Sequence, residues 1–250
     1  MKISVIIITL NEERNIRRCL ESVTTIADEI IVLDSFSTDM TESICKEFNV
    51  TFVKREWAGY AQSKNYANSL ASHNYILSLD ADEALSPELQ RAIENKKAQG
   101  LDGIYKINRL TNYCGKWIKH SGWYPDIKPR LFPKASCRWE GEFVHETLTC
   151  AKNLSSQLLE GHCYHYSYYS YADHRQRADK DSVLTAKKMA ANGKKASAIK
   201  PYISAIGRFI SMYLLRLGFL DGWMGFKIAQ ISALSNIVKY QELRRLNHAK

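Results

Sequence analysis

The stretch ISVIIITLNEE, residues 3–13, decides how the rest of the chain is read. Its first part is a continuous apolar run rich in β-branched residues, and it stops abruptly at Asn11, Glu12 and Glu13. A half-buried strand would alternate apolar and polar residues; an unbroken run points to a strand covered on both faces. Behind it, NEERNIRRCLESV places Ile16, Leu20 and Val23 at helical spacing. The same alternation then repeats. EIIVLDS (29–35) reads as a second strand, TESICKEF (41–48) as a helix, VTFVKRE (50–56) as a third strand, QSKNYANSLAS (62–72) as a helix and YILSLD (75–80) as a fourth strand. Strands separated by helical crossovers predict an α/β fold, an open, doubly wound, mainly parallel sheet whose ligands lie at the carboxyl ends of the strands.

Those ends carry polar groups that a plain core has no use for. The first ends in Thr9, Asn11 and Glu12, the second in Asp34, Ser35, Ser37 and Asp39, the fourth in Asp80, Asp82 and Glu83. No G-x-G-x-x-G or G-x-x-x-x-G-K-[ST] loop follows any strand, so dinucleotide-binding and P-loop readings lose their main support. Acidic strand ends that serve a phosphorylated ligand need a divalent cation. Mg2+ or Mn2+ takes carboxylate oxygens, keeps several waters and bridges to phosphate, and Asp80 and Asp82 offer such a pair. The competing reading of this D-x-D pattern is that Asp82 or Ser86 caps a helix beginning near Pro87.

Taken in order and spacing, ISVIIITLNEERNIRRCLESV, IIVLDSFSTDMTESIC and SLDADE resemble the leading motifs of the family 2 glycosyltransferases, across roughly the first 90 residues. The resemblance implies the GT-A fold, a Rossmann-like nucleotide-sugar-binding domain. It implies that Thr9, Asn11, Glu12 and Asp34 grip uracil and ribose, that Lys64 and Asn65 lie near the nucleotide, and that Asp80 and Asp82 hold the metal on the diphosphate of a UDP-sugar donor. Lys64 stands where the family often has Arg. Further on, KPRLFPK (128–134), WEGEFVHE (139–146), HCYHYSYYSYADH (162–174) and GFLDGWMGFKIA (218–229) resemble the subgroup of lipopolysaccharide core β-1,4-glucosyltransferases. That subgroup implies UDP-glucose as donor and an inner-core or related glycolipid as acceptor; a member acting on another glycan or on a protein has much the same first half.

An inverting transfer is a single displacement at the anomeric carbon. It needs one carboxylate to take the acceptor proton and an electrophile to stabilise the departing diphosphate. Glu146, which closes the His-Glu pair of WEGEFVHE, is the candidate base, with Glu140 and Glu142 as rivals that sequence does not rank. His145 is read as a contact to phosphate or metal, or as the group that orients Glu146, against a structural histidine. Arg130 is read as a phosphate or acceptor contact against a surface ion pair. His162 and His165 are read as metal or diphosphate contacts against core packing, and Trp117, Trp123, Tyr124 and Trp139 as sugar-stacking rings against burial.

Charge is unevenly placed. Residues 1–173 hold 20 Lys and Arg against 22 Asp and Glu, whereas residues 174–250 hold 15 against 4. From Pro201 onward Ile203, Ile206, Phe209, Ile210, Tyr213, Leu214 and Leu217 recur at amphipathic spacing, and a second such segment runs from Trp223 to Leu246. Basic residues interrupt both, so neither reaches the length of a spanning helix. The expected organisation is a catalytic domain over 1–190 and a basic amphipathic helical tail over 191–250, joined near 189–201. The tail is expected to attach to an anionic membrane surface on the cytoplasmic side, against helices packed on the domain or forming an oligomer. Six scattered cysteines without C-x-x-C spacing, and no signal peptide, predict free thiols in a reducing cytoplasm. Two other classes compete. A nucleotidyltransferase calls for a Gly-rich basic loop where TLNEERN is acidic. A noncatalytic membrane- or nucleic-acid-binding protein accounts for the tail and leaves the polar strand ends without purpose, so nucleic acid is not expected as a partner.

Overall fold

The computed structural model describes residues 1–141 and 146–248. The chain forms two compact units, Met1–Arg109 with Asp126–His165, and Leu110–Pro125 with Tyr166–Lys250. This division differs from a break at residue 190: the second unit draws in residues 110–125 and 166–190, and the helix ahead of the basic tail packs extensively on the tail.

In the first unit, β1 (Ile3–Thr9), α1 (Ile16–Val23), β2 (Glu29–Asp34), α2 (Thr41–Cys45), β3 (Thr51–Lys54), α3 (Tyr60–Leu70) and β4 (Tyr75–Asp80) follow the expected alternation, and the four strands pair in parallel in the order β3-β2-β1-β4. The unbroken apolar run of β1 is explained by burial on both faces. Ile3, Val5 and Ile7 pack with Ile16, Leu20 and Val23 of α1, while Ile6 and Ile8 face Ala61 and Ala67 of α3 together with Phe132. Register brings the polar strand ends side by side: Thr9 pairs with Asp34, and Ile8 with Asp80.

Beyond β4 come β5 (Glu83–Leu85), α4 (Pro87–Gln99), β6 (Ile104–Tyr113), β7 (Lys116–Trp117), β8 (Asp126–Pro133), β9 (Cys137–Glu140), β10 (Thr147–Cys150) and β11 (Ser156–Tyr168). The sheet continues from β4 through β8, β6, β11 and β5; β4 with β8, β8 with β6, and β11 with β5 are antiparallel. Helix α4 is capped by Ser86, whose Oγ accepts from the Leu89 amide at 3.2 Å, with Pro87 in the first turn. The cap therefore leaves Asp82 to other work.

β9 and β10 form a hairpin in which Cys137 and Cys150 are cross-strand partners, and their sulfurs are joined in a disulfide. This corrects the expectation of free thiols for two of the six cysteines. A spacing of 13 residues resembles no cysteine motif, yet the antiparallel register brings the two Cα atoms to 4.1 Å. Cys19, Cys45, Cys114 and Cys163 are free.

In the second unit α5 (Tyr171–Ala191), α6 (Lys200–Ile210) and α7 (Gly222–His248) follow one another, with α7 packed against both α5 and α6. A π-helical turn, Ser211–Leu215, extends α6, and a 3-10 turn, Gly218–Asp221, leads into α7. The unit is centred on Tyr113, Trp123, Tyr168 and His174, whose rings meet edge-on or tilted, and Tyr113 Oη lies 2.8 Å from His174 Nδ1. Trp123 thus packs, half-buried, within this ring cluster. Burial lowers the His174 pKa to about 4. The unfolded chain takes up this proton near the ordinary value of about 6.5, so the stability is present above that pH and is lost as pH falls toward 4. Urea titrations between pH 7 and 4 are expected to show a loss of up to about 3 kcal/mol from this site. An equally steep loss in His174→Gln would assign it to other groups.

Candidate active site

The carboxyl ends of β1, β2 and β4 meet at one edge of the first unit. At β1, Thr9 is buried with its Oγ1 lacking a hydrogen-bond partner, and Asn11 takes a left-handed conformation at φ 54°. That conformation lets Asn11 tie two strand ends together: its amide donates to Ser37 Oγ at 2.8 Å, and its Oδ1 accepts from the Thr38 amide at 2.8 Å. Asp34 is fully buried and accepts from both the Ser37 hydroxyl and the Ser37 amide. The Glu12 amide donates to Thr41 Oγ1, and the Glu12 carboxylate accepts from Asn15.

At β4 begins a chain of alternating charges. Lys64, on α3 and 1 % exposed, stands between two carboxylates, with Nζ 2.8 Å from Glu146 Oε1 and 3.0 Å from Asp80 Oδ1. Its ammonium also lies 4.7 Å from the Trp139 ring centre. Arg130, on β8, donates to Asp80 Oδ2 at 2.8 Å and to Glu83 Oε1 at 2.5 Å. Arg109, on β6, donates to the same Glu83 oxygen at 3.1 Å and to Asp126. Glu83 Oε2 accepts from the Asp80 amide, which fixes the turn between β4 and β5. Burial works against the charge on Asp80, yet Lys64 and Arg130 outweigh it and hold the carboxyl well below the usual range. Burial likewise opposes the Arg130 charge, and Glu83 with Asp80 reverses the balance and raises its pKa.

Asp82 stands outside this chain. Its Oδ2 lies 3.3 Å from His165 Nε2, delivered by β11. Burial disfavours the charged imidazole, but the Asp82 carboxylate more than compensates, and the His165 pKa is raised. Among the described residues no group of three or more His, Cys, Asp and Glu side chains is placed to hold a metal by itself. Asp82 and His165 are a two-residue partial set, which water and a phosphorylated ligand would have to complete.

Residues 4–160 match the family model described as glycosyl transferase family 2, well over half of the chain. The chain belongs to the family 2 glycosyltransferases. This glycosyltransferase is 32% identical to an uncharacterized glycosyltransferase of Rickettsia prowazekii, over 98% of its own length and 88% of the relative's. It is 25% identical to the lipopolysaccharide core biosynthesis glycosyltransferase LpsC of Rhizobium meliloti, over 89% of this chain and 82% of that one. Its fold is similar to that of S. aureus TarS residues 1–349, solved with UDP-GlcNAc, at a TM-score of 0.51 and 17% identity over 98% and 92% of the two chains. The fold is GT-A, as the strand order and motifs imply.

The enzyme brings most of its expected site residues together at the strand ends, each held by contacts of its own. Arg130 is no surface group: it is 4 % exposed and committed to Asp80 and Glu83, so its cation offsets buried carboxylates. Asn65 faces the hairpin. Its Nδ2 donates to the Trp139 carbonyl at 2.8 Å, and its Oδ1 accepts from the Trp139 amide at 3.0 Å, clamping α3 to β9. Trp139 is buried in the core beneath Lys64. Among the rival bases, Glu140 is exposed and accepts from the Thr149 hydroxyl at 2.9 Å, whereas Glu146 reaches Lys64. Glu142 and His145 lie outside the described residues. His162 bonds through its backbone to Ser86 at the cap of α4, while His165 meets Asp82. Arg109 and Asp126 were missed; their signal was the charge standing inside otherwise strand-like runs.

Proposed function

We propose that this glycosyltransferase is an inverting, divalent-cation-dependent hexosyltransferase that moves a sugar from a UDP donor, glucose on the subgroup resemblance, to a lipopolysaccharide inner-core or related glycolipid acceptor. One observation carries the reading of the site. Among the described residues, buried side-chain polar atoms without a hydrogen-bond partner gather at this edge: Thr9 Oγ1, Arg130 Nε, Trp139 Nε1 and His165 Nδ1. Buried polar atoms are nearly always satisfied, so a cluster of exceptions marks a place that a polar ligand completes. The name of the LpsC relative supports the acceptor class, and the UDP-GlcNAc seated in the TarS fold supports a uridine nucleotide at the strand ends.

Asp82, with the His165 imidazole beside it, would hold Mg2+ or Mn2+, which when bound would offset the charge of the departing diphosphate. The chain's own groups supply the rest. Glu146 takes the proton of the attacking acceptor hydroxyl, and Lys64 positions that carboxylate from 2.8 Å while it neutralises Asp80. Thr9, Asn11 and Asp34 shape the edge against which the base and ribose rest.

Calorimetric titration with UDP, UDP-glucose, UDP-galactose and UDP-GlcNAc, in Mn2+ or in chelator, tests this. The expected result is Mn2+-dependent binding of uridine nucleotides, with UDP-glucose giving turnover on a core glycolipid. Folded protein that binds no uridine nucleotide under either condition would overturn the reading.

A further inference from the structure

The second unit carries an apolar surface that its own helices leave uncovered. Ile199, Ile203, Ile206, Ile210 and Leu214 are all exposed, Ile206 by 62 %. Their spacing of three and four residues lines them along one face, and α7 covers the opposite face of α6, where Pro201, Ala205 and Met212 are buried. The surface continues around the turn into α7, with Leu215 76 % exposed, Phe219 and Leu220 exposed, and Trp223 60 % exposed.

This exposure is built in. The 3-10 turn is held from inside: Asp221 is buried and accepts from the Lys119 and His120 amides, with His120 Nδ1 at 3.1 Å. Gly225 of α7 presses so closely on the turn that a Cβ there would lie 1.8 Å from the Gly218 carbonyl oxygen, so no larger residue fits. A turn fixed this firmly presents Phe219, Leu220 and Trp223 outward as a rigid edge.

We propose that the face running from Ile199 to Trp223 seats this unit in one leaflet of an anionic lipid bilayer. Three observations select lipid over a second copy of the chain. Residues 194–250 hold ten Lys and Arg against two Asp and Glu, and Lys200, Arg208 and Arg216 are exposed on the same segment as the apolar stripe. Two such surfaces repel each other, whereas anionic headgroups attract both. No single described helix is long and apolar enough to cross a membrane, but Lys200–Leu215 and Gly218–Asn247 together pass that test and are bent by 72°. A bent pair with one wet, basic side enters a leaflet without crossing it. Trp223 and Tyr202 are exposed on this segment, the ring types that favour the headgroup boundary. The inference does not depend on the donor or acceptor of the transferase.

Flotation of the full chain with phosphatidylglycerol–phosphatidylethanolamine vesicles and with pure phosphatidylcholine vesicles tests it. The expected result is binding to the anionic vesicles that weakens with salt. It should fall at least about tenfold in Ile206→Asp/Leu214→Asp. Arg208→Glu should weaken anionic binding and flatten the salt dependence. Circular dichroism and thermal unfolding check that the variants fold, since all three positions are exposed. Three outcomes would overturn the proposal: folded protein that floats with no vesicle, wild-type flotation of the double variant, or a concentration-dependent dimer in sedimentation velocity that Ile206→Asp dissolves while vesicles remain unbound. Absence of uridine nucleotide binding would leave it intact.

Discussion

Glu146→Gln is expected to lower kcat by about a hundred- to ten-thousand-fold while UDP-sugar affinity stays within a few-fold. Glutamine keeps the shape and the carbonyl oxygen that meets Lys64 Nζ, so the hairpin and the ion pair on Asp80 remain in place. What it removes is the capacity to accept the hydroxyl proton. Steady-state rates across a pH series check this. The acidic limb of the wild-type kcat profile should disappear, because that limb reports protonation of the base in the complex. Glu140→Gln should leave the rate near wild type, since Glu140 points to solvent and bonds to Thr149. Comparable losses in the two variants would show that neither acts as the base.

Asp82→Asn should reduce kcat/KM by at least about a thousandfold and remove the chelator sensitivity of UDP binding. The neighbouring Asp80 cannot replace it, because Lys64 and Arg130 already hold its carboxylate. The substitution should also leave the unfolding midpoint close to wild type, for Ser86 and not Asp82 caps α4. Asp80→Asn gives the contrast. It leaves two buried cations short of a partner, and breaking such a pair costs about 3–5 kcal/mol, so activity and stability should fall together. Mn2+-dependent UDP binding that survives in Asp82→Asn would remove Asp82 from the metal site.

How much of this was legible before the structure differs between the halves of the first unit. β1, β2 and β4 declared themselves because both faces are covered and the runs are nearly pure Val, Ile and Leu. β6 and β8 did not, because Lys106, Arg109, Lys128 and Arg130 interrupt them. The same arginines enter the charge chain, so the feature that hid the strands is the one the site uses. The strand ends placed Thr9, Asp34 and Asp80 together, since parallel strands of one sheet end at one edge. Partner choice was not legible. Lys64 and Glu146 are 82 residues apart and Arg130 and Asp80 are 50 apart, and no local pattern joins groups that only the closed sheet brings within reach. The left-handed Asn11 was equally silent, as its conformation depends on Ser37 and Thr38 from the next strand.

The joined sulfurs of Cys137 and Cys150 turn one part of a linear chain into a small macrocycle. By connectivity alone, Glu140, Glu142, His145 and Glu146 all ride on that ring. Its two ends stay together even when the β9–β10 hydrogen bonds open, which caps how far Glu146 can stray from Trp139, the residue that Asn65 clamps to the helix bearing Lys64. A tether of this kind lowers the number of conformations open to Glu146, so part of the ordering that a positioned base requires is already present in the free enzyme.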